Sequence, residues 1–239
     1  MLKGSLEITQ KRELAPDVYE LHLCGPAAEA ITKPGQFMNI QIEGKYLRRP
    51  ISIADKFADE LTIVFKTVGE GTKILSKMDK GEKLDVLSGL GNGYDIEKSS
   101  NTPYIVGGGL GIPPLVLLAK KLVKAGIKPN VILGFNNRDE IFYEEMFRGC
   151  DVKITTMDGS SGIKGFVTDT INRDEYAFAC GPEPMLKAVH SKVTKGQFSF
   201  EERMGCGFGA CMGCSCKTIT GYKRICKEGP ILEHEEILW

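Results

Sequence analysis

A short cysteine-rich stretch constrains this chain more than any other feature. Residues 201–218, "EERMGCGFGACMGCSCKT", contain four cysteines and four glycines. Cys206, Cys211 and Cys214 are spaced C-x4-C-x2-C, and Cys226 follows after eleven further residues. This is the plant-type spacing of the four ligands of a 2Fe-2S cluster. The glycines favour the same interpretation, because a chain wrapped around a cluster needs unusual backbone angles and closely approaching N–H groups.

Two other uses of these thiols remain open on spacing alone: a zinc site, or a set of thiols that bind no metal. A zinc knot usually presents two C-x2-C pairs, and only Cys211 and Cys214 form such a pair here. Cys216 is one thiol more than a cluster needs, so we expect it to be a free or hydrogen-bonding thiol. Clustered cysteines in a reducing compartment bind metal more often than they form disulfides.

Charge and hydropathy exclude several classes of partner. The chain of 239 residues has 31 basic and 31 acidic side chains, so it lacks the broad positive field that nucleic acid or anionic lipid would require. The longest uncharged apolar run, 104–119, is broken by glycines and prolines and is shorter than the ~18 residues of a spanning helix. Met1 leads into a strand pattern without an apolar leader. We therefore expect a cytoplasmic protein with no membrane segment.

The first hundred residues have the pattern of an all-β domain. β-branched and aromatic residues alternate with polar ones at intervals of about ten residues, which is typical of an antiparallel barrel or sandwich. One short helix is expected at 72–78. The expected strands are "SLEITQ", "VYELHL", "QFMNIQI", "RRPISIAD" and "LTIVFKTV". We assign 1–100 to this domain.

From Asn101 the pattern changes to alternating strands and helices. Such alternation predicts a parallel sheet covered by helices on both faces. The segments are "PYIVGG", "PPLVLLAKKLVKAG", "NVILGF", "EIFYEEMF", "VKITTM", "FVTDTI", "YAFACG" and "EPMLKAVH". The periodicity stops after Lys195, so we assign 101–195 to an α/β domain and 196–239 to the cysteine-rich segment.

A glycine-rich string indicates a nucleotide site in the α/β domain. Gly107, Gly108, Gly109 and Gly111 lie between a predicted strand and a helix that opens with proline. Backbone amides at such a junction can bind a pyrophosphate. The string departs from G-x-G-x-x-G at Ile112, so a tight structural turn is an alternative.

A second candidate edge of the same site follows the strand "YAFACG". Cys180, Gly181 and Pro182 stand where that strand ends, and parallel sheets bind ligands at the carboxyl ends of their strands. We expect these three residues to contact the nucleotide. The isolated thiols Cys24 and Cys150 are expected to be small buried hydrophobes.

The barrel region carries a possible flavin motif in "RRPISIAD" and "GEGT". Arg49 can bind phosphate, the Ser52 hydroxyl can face a ring nitrogen, and Gly71 with Thr72 forms a helix start able to hold phosphate. Taken singly, these are ordinary strand and cap residues, and that interpretation stays open.

Together these motifs resemble a known family along almost the whole chain. The motifs are "RRPISI", "GGGLGIPPL", "CGPEPML" and "ERMGCGFGACMGCSC" before "CKEGPI". They resemble the electron-transfer subunits of class 1B dihydroorotate dehydrogenases, in the ferredoxin-reductase superfamily. The resemblance implies a multi-domain β plus α/β protein. It would have an N-terminal six-stranded antiparallel β-barrel for FAD, a doubly wound parallel α/β domain for NAD(H) and a C-terminal 2Fe-2S segment.

The resemblance also implies roles for individual residues. Arg49 would pair with the FAD phosphates, Ser52 would face flavin N5, and Gly71 with Thr72 would hold the pyrophosphate. Ile51 stands where the wider superfamily has an aromatic residue that stacks on the flavin. Further flavin-contacting residues would be Pro50, Ile51, Val64, Phe65 and Lys66. The family's cluster ligands match Cys206, Cys211, Cys214 and Cys226.

The three cofactors imply a route for electrons. A nicotinamide exchanges two electrons as hydride and a 2Fe-2S cluster exchanges one at a time, so FAD between them is the minimum arrangement. Ser52 and Cys180 are the catalytic candidates on this chain. His22, His190 and His234 are expected to be structural or solvated rather than catalytic.

The resemblance assigns the carbon chemistry to another chain. It implies an FMN-containing catalytic subunit that oxidises dihydroorotate to orotate in pyrimidine biosynthesis, in a heterotetramer with two copies of each subunit. The same cofactor set also occurs in small subunits of ferredoxin-NADP+ reductase, sulfite reductase and hydrogenase complexes. From a different class, a zinc-bearing nucleotide-binding module without catalytic activity is the remaining alternative.

Overall fold

A closed barrel forms the N-terminal part of the protein. In this computed structural model, which describes residues 1–172 and 174–239, six antiparallel strands close in the order β1-β2-β5-β4-β3-β6. The strands are β1 (Leu2–Ala15), β2 (Val18–Cys24), β3 (Phe37–Ile40), β4 (Arg49–Phe57), β5 (Glu60–Lys66) and β6 (Lys83–Leu90). The predicted six-stranded barrel is therefore confirmed. Strand β6 was missing from the sequence-based assignment, although its alternate residues are buried and the same pattern would have identified it.

Strand alternation gives the barrel two differently used faces. Met38 and Ile40 of β3 pack in the barrel interior, whereas Phe37 packs outside it against the cysteine-rich segment. Likewise Phe65 of β5 is inside the barrel, and its neighbour Val64 packs against the α/β domain. Outward side chains of β3 and β5 thus pack against the rest of the protein.

A short helix follows the barrel strand β5. Helix α1 (Glu70–Leu75) begins two residues before the expected start and ends earlier than expected. The Thr72 hydroxyl accepts hydrogen bonds from the backbone N–H groups of Val68 (3.0 Å) and Gly69 (3.2 Å). These bonds satisfy donors that precede the first helical turn, which moves the helix start upstream of Thr72.

The second part is a seven-stranded sheet in the order β10-β9-β8-β7-β11-β12-β15. All its strands are parallel except β15, which pairs antiparallel with β12. Helix α2 (Val116–Lys124) and helix α3 (Glu183–His190) connect strands within it. The strands are β7 (Tyr104–Gly108), β8 (Asn130–Phe135), β9 (Asp151–Thr156), β10 (Ile163–Lys164), β11 (Ala177–Cys180), β12 (Gly196–Ser199) and β15 (Ile231–Glu233). The expected parallel α/β architecture is confirmed.

Sheet pairing continues past Lys195, where the sequence pattern stops. Strands β12 and β15 are three or four residues long and both belong to this sheet. Between them lies the cysteine-rich loop with a two-stranded hairpin of β13 (Ser215–Thr218) and β14 (Gly221–Arg224). The cysteine-rich segment is therefore an insertion between two strands of the sheet, not a separate tail.

Two segments expected to be full elements form only single turns. The segment "EIFYEEMF" contains the 3-10 turn Glu144–Met146, and "FVTDTI" contains the 3-10 turn Val167–Thr170. A further 3-10 turn, Arg138–Glu140, ends at the first residue of "EIFYEEMF". Tyr143 has a left-handed φ of 69°, which a regular helix does not permit. The other 3-10 helices are Pro26–Ala30, Ile96–Lys98, Gly109–Gly111, Pro113–Leu115 and His234–Glu236.

A buried polar contact joins the barrel to the α/β domain. Glu20 of β2 is 1% exposed and accepts a hydrogen bond from the hydroxyl of Tyr143. It also binds Arg12 (Nε to Oε1, 2.5 Å) and His22 (Nε2 to Oε1, 3.0 Å). Burial acts to raise the pKa of Glu20, but hydrogen bonds from Arg12, Tyr143 and His22 outweigh it and hold that pKa below its ordinary value.

The histidines all have structural partners, in line with the expectation from sequence. His22 bridges Glu20 and Glu60. The rings of His190 and His234 stack with centroids 3.7 Å apart, and the Nε2 of each donates to the backbone carbonyl of the other (3.0 and 3.1 Å). Among the described residues, no helix has the length and apolar character needed to cross a bilayer.

Candidate functional site

The four predicted cluster ligands lie in two pairs. The backbone N–H of Cys206 donates to Sγ of Cys211 (3.4 Å), and that of Cys226 donates to Sγ of Cys214 (3.4 Å). Over residues 1–172 and 174–239, no three His, Cys, Asp or Glu side chains converge closely enough to hold one metal ion. Two sulfur pairs are the arrangement that a cluster with two irons requires, one pair for each iron.

Backbone N–H groups point at the sulfurs of the first pair. Sγ of Cys206 accepts from the N–H groups of Ala210 (3.2 Å) and Cys211 (3.4 Å), and Sγ of Cys211 accepts from Gly213 (3.4 Å). Burial acts to raise the pKa of Cys206, but hydrogen bonds from the backbone of Phe208, Cys211 and Ala210 lower it to about 6. Such donors stabilise thiolates, which are the form that binds iron.

Two glycines allow the loop to take this shape. Gly207 and Gly209 have φ angles of +78° and +92°, in the region that favours glycine. A Cβ added at Gly207 would lie 2.1 Å from Nδ2 of Asn39 on the barrel, and one at Gly209 would lie 2.5 Å from Cδ of Lys227. The residues therefore fit a cluster site on conformation and on close approach as well as on spacing.

The two cysteine pairs differ in exposure. Cys214 and Cys226 are each 2% exposed and pack in one buried cluster with Phe37 of the barrel. Cys211 is exposed, and Phe208 and Met212 beside it are apolar side chains open to solvent. One side of the site is therefore turned to the barrel and the other to the molecular surface.

Cys216 lies apart from these pairs. It is on β13, and its Sγ donates to the carbonyl of Lys217 (3.6 Å). Its thiol also lines a cavity beside the α/β domain. Burial first, and then the charges of Glu202 and Glu183, raise its pKa. A protonated thiol with its own partner is what we expect of the spare cysteine.

The proposed phosphate residues of the barrel are neighbours. Arg49 begins β4, and its guanidinium lies directly over Gly71 in α1. A Cβ at Gly71 would lie 2.4 Å from Nε of Arg49, so the absence of a side chain is what lets the two approach. Thr72 uses its hydroxyl within the helix cap. This corner brings together the cation and the helix start that sequence reasoning assigned to phosphate.

The other predicted flavin residues point in different directions. Ser52 pairs with Phe37 across β3 and β4, and Pro50 pairs with Asn39, so their side chains share the outer face of the barrel. Ile51 packs against the barrel's interior cluster, which explains how an aliphatic residue fits at that position. Along β5, Phe65 also points inward.

The three predicted flavin residues of strand β5 differ in which of their atoms can reach a ligand outside the barrel. The side chain of Val64 is buried against the α/β domain, and Lys66 is half-buried at the end of the strand. Phe65 is stacked on Tyr19 inside the barrel with ring centroids 6.1 Å apart. Only its backbone remains available to a ligand on the outer face.

Two cavities open at the carboxyl ends of the parallel strands. The first, of about 440 Å³, extends over the ends of β8 and β9, with Glu140, Met157 and Phe166 in its wall. The second, of about 450 Å³, lies toward the cysteine-rich segment, with Glu201, Cys216 and Trp239 in its wall. Both are bounded by Gly108, Gly109 and Pro182. An extended ligand can therefore reach from one cavity into the other across the glycine loop.

The glycines of this loop serve different purposes. Gly107 and Gly108 sit against Ile112 and Met185, where an added Cβ would lie 2.8 Å and 2.6 Å from the nearest atom. A Cβ at Gly111 would lie 2.2 Å from the carbonyl oxygen of Cys180. Gly109 alone of the four combines a positive φ of +50° with open space. The tight turn proposed as an alternative is therefore present, and the same turn borders both cavities.

Cys180 is less accessible than sequence reasoning expected. Its side chain is 5% exposed and packs with Tyr94 and Ile231 between the barrel and the sheet. Burial, and secondly the charge of Glu201, raise the pKa of its thiol to about 12. Gly181 and Pro182 line the second cavity, whereas Cys180 does not. Cys180 is therefore absent from the lining of both cavities.

Several residues that line the cavities or contact the cysteine-rich segment were not predicted from the sequence. Phe166 is 59% exposed in the wall of the first cavity, and Trp239 lines the second. Asn39 and Phe37 contact the cysteine-rich segment from the barrel. An exposed phenylalanine after a Gly could have been noticed, but the contacts of Asn39 and Phe37 join residues far apart in the chain.

Comparison with known proteins agrees with this architecture. Residues 201–238 match the family model for the iron-sulfur cluster binding domain of dihydroorotate dehydrogenase B. The chain is 42% identical to a dihydroorotate dehydrogenase B (NAD(+)) electron transfer subunit from Bacillus pumilus, over 99% of this chain and 98% of that protein. It is 43% identical to the subunit of the same name from Fusobacterium nucleatum, over 94% of each.

A solved structure shares the fold across nearly the whole chain. The structure of an NADH-dependent reduced ferredoxin-NADP oxidoreductase, studied for flavin-based electron bifurcation, superposes with a TM-score of 0.90. It is 32% identical and covers 98% of this chain and 90% of that one. The family resemblance that the motifs indicate is confirmed by these matches.

Proposed function

The chain belongs to the family of electron transfer subunits of dihydroorotate dehydrogenase B, and we propose on that basis that it carries electrons between a dihydroorotate-oxidising partner and NAD+. The route uses a 2Fe-2S cluster, FAD and NAD(H). The observation that carries the proposal is the position of Cys214 and Cys226. They are buried against Phe37, whose strand partner is Ser52 of the flavin motif.

The cluster and the flavin would each be held by residues of one region. Cys206 with Cys211 and Cys214 with Cys226 would bind the two irons, and backbone N–H groups stabilise the thiolates. Arg49, Gly71 and Thr72 would hold the FAD phosphates, with the remaining contacts along β4 and β5. FAD supplies the conversion between single electrons and a hydride pair. The flavin-contacting residues would be Pro50, Ile51, Ser52, Val64, Phe65 and Lys66.

The double cavity at the sheet edge supports a dinucleotide site. Two cavities that share the loop of Gly108 and Gly109 suit a ligand with two ends and a pyrophosphate between them. Gly107, Gly111 and the backbone of Cys180 would shape the site, whereas Gly181 and Pro182 would contact the ligand. We place Ser52 nearest to hydride transfer. The buried, protonated thiol of Cys180 would position neighbouring groups without reacting.

The domain limits follow from the same assignment. We propose an FAD domain at 1–100 and an NAD domain from 101. The pairing of β12 with β11 supports a boundary between the NAD domain and the cluster segment after Ser199 rather than after residue 195. The cluster segment then extends to Trp239, and its strand β15 pairs with β12 at the edge of the sheet.

The carbon chemistry would belong to the partner subunit. Dihydroorotate loses two electrons and two protons as it becomes orotate. NAD+ takes both electrons with one proton as hydride, and the second proton is released to solvent. The histidines of this chain are engaged in structural contacts, so none is placed to take a proton from such a substrate. We propose an FMN-containing catalytic subunit as partner, in a heterotetramer with two copies of each chain.

Isolation of the native complex tests this function. We expect FAD, iron and labile sulfide on this chain, FMN on a co-purifying partner, and dihydroorotate-dependent reduction of NAD+ by the complex. The 0.90 superposition on the ferredoxin-NADP oxidoreductase makes a ferredoxin-linked role the second candidate. An iron-sulfur-rich partner and no activity with dihydroorotate would establish that role instead.

The exposed ring of Phe166 in the wall of the first cavity provides a prediction for the affinity of NADH. Phe166→Ala should weaken NADH binding about tenfold, because stacking of a base on an aromatic ring contributes ~1–3 kcal/mol. Phe57→Ala is the matched control, since Phe57 is 83% exposed on the barrel and does not line either cavity. Titration of each purified variant with NADH measures the effect. Equal affinity in the two variants would show that the adenine does not bind at Phe166.

A further inference from the structure

A buried asparagine links the barrel to the cluster loop. Asn39 lies on β3, is 1% exposed, and its Nδ2 donates to the carbonyl oxygen of Cys206 at 3.3 Å. Its side chain points outward, as strand alternation requires, because the flanking residues Met38 and Ile40 are buried inside the barrel. Asn39 therefore forms a polar contact between the barrel wall and Cys206, the first of the predicted cluster ligands in the loop.

The same residue is in register with the flavin motif. Asn39 pairs with Pro50 of β4, and two residues earlier Phe37 pairs with Ser52. Directly opposite residues of antiparallel strands present their side chains on the same face. The strand that touches the cysteine loop through Phe37 and Asn39 is thus the immediate neighbour of the strand assigned to the flavin.

The contact is held from both sides. On the loop, a Cβ at Gly207 would lie 2.1 Å from Nδ2 of Asn39, so only glycine permits this approach. On the barrel, Nη1 of Arg48 donates to the carbonyl of Asn39 (3.3 Å) and to that of Asp85 (3.1 Å). Nη2 of Arg48 also pairs with Oδ1 of Asp85 at 2.6 Å. The backbone of Asn39 is therefore tied through Arg48 to Asp85 of β6, and its side-chain amide bonds the cysteine loop.

Stability alone does not account for this amide. Oδ1 of Asn39 is buried and has no hydrogen-bond partner among the residues that the structure describes. A buried acceptor left unpaired costs ~1–3 kcal/mol, so an apolar residue of the same size would suit a purely structural role better. Polar groups retained at such a cost are found at functional sites.

We propose that Asn39 is a positioning residue for electron transfer between the cluster loop and the flavin barrel. The inference rests on the proposed function. Electrons cross this contact one at a time, two for each hydride delivered to NAD+, and the amide is neither ionised nor oxidised. Asn39 holds the Cys206 carbonyl, and with it the loop, at a set distance from β4. Its N–H carries partial positive charge to the backbone of Cys206, and positive charge near a bound cluster would favour the reduced form.

The test compares two variants that each lose a buried amide. Asn39→Leu removes the donor at nearly constant volume. Gln36→Leu is the control, because Gln36 lies beside the same strand and its Nε2 donates to Gly91 (3.1 Å), away from the cysteine loop. In Asn39→Leu we expect a lower reduction potential of the cluster in an EPR-monitored titration. We also expect roughly tenfold slower electron transfer between cluster and flavin in stopped-flow measurements, because displacing a positioned group by a fraction of an ångström is enough to slow a reaction.

The outcomes separate this inference from the function itself. Gln36→Leu should lose stability but keep the wild-type potential and transfer rate. Unchanged potential and rate in Asn39→Leu, or equal changes in both variants, would overturn the positioning role. If Asn39→Leu does not fold, Asn39→Ser carries the same comparison, because serine is too short to reach the carbonyl. A wild-type protein that binds neither flavin nor iron would instead refute the proposed function.

Discussion

Cys226→Ser is expected to lose essentially all of its cluster, whereas Cys216→Ser keeps near wild-type iron and labile sulfide. Cys226 is 2% exposed and paired with Cys214, so its loss leaves one iron with a single thiolate and no solvent-accessible replacement. Serine is a poor substitute, because its hydroxyl is not ionised at neutral pH as the ligand must be. Cys216 has its own partner in the carbonyl of Lys217.

Iron and sulfide analysis of the two purified variants, with visible circular dichroism, measures this effect. The two substitutions have the same chemistry and lie in the same segment, so each controls for the other. Cluster loss in Cys216→Ser with retention in Cys226→Ser would overturn the ligand assignment. Retention of zinc instead of iron in wild-type protein would favour the alternative of a structural zinc site.

Gly111→Ala is expected to destabilise the α/β domain by about 3 kcal/mol and to abolish measurable NADH binding, whereas Gly109→Ala should cost about 1 kcal/mol. The added Cβ at Gly111 would lie 2.2 Å from the Cys180 carbonyl oxygen and 2.5 Å from the Gly181 backbone nitrogen. Both are backbone atoms of the neighbouring strand end and cannot rotate away. At Gly109 the space is open and only the φ of +50° is unfavourable.

Urea unfolding and NADH titration of both variants measure the difference. The two glycines are two residues apart in one loop, so general sensitivity of the loop affects both variants equally. A Gly111→Ala protein as stable as Gly109→Ala would show that the loop and the end of β11 can separate. In that case the close packing would not be what forms the floor of the dinucleotide cleft.

Local patterns predicted the architecture well where each element is long and regular. Five of the barrel strands and the sheet strands "NVILGF" and "VKITTM" were found because their side chains alternate or are continuously apolar. The short strands β12 and β15 were missed, because three or four residues carry too little periodicity. The turn at Tyr143 was missed because its left-handed backbone is stabilised by a contact with Glu20, 123 residues away.

In the candidate site, too, local spacing supported predictions, whereas long-range packing could not be predicted. The prediction of four cluster ligands, with Cys216 as the spare, came from the spacing of the cysteines, since that pattern is local. Spacing did not reveal that the ligands lie in pairs or that one pair is buried against Phe37. Cys180 was expected in the cleft from its place at a strand end, but packing with Tyr94 and Ile231 buries its side chain.

The sequence by itself indicated the class of protein and, through the family resemblance of its motifs, the three cofactors and candidate residues for binding them, because each motif depends on residue type and spacing within a short stretch. Only the tertiary structure decided which of those residues meet. Asn39 and Cys206 are 167 residues apart in the chain, and their contact exists because the cysteine loop is inserted between two sheet strands and folds back onto β3. A hydrogen bond across such a distance leaves no local pattern in the sequence, since it depends on the path of the whole chain between the two residues.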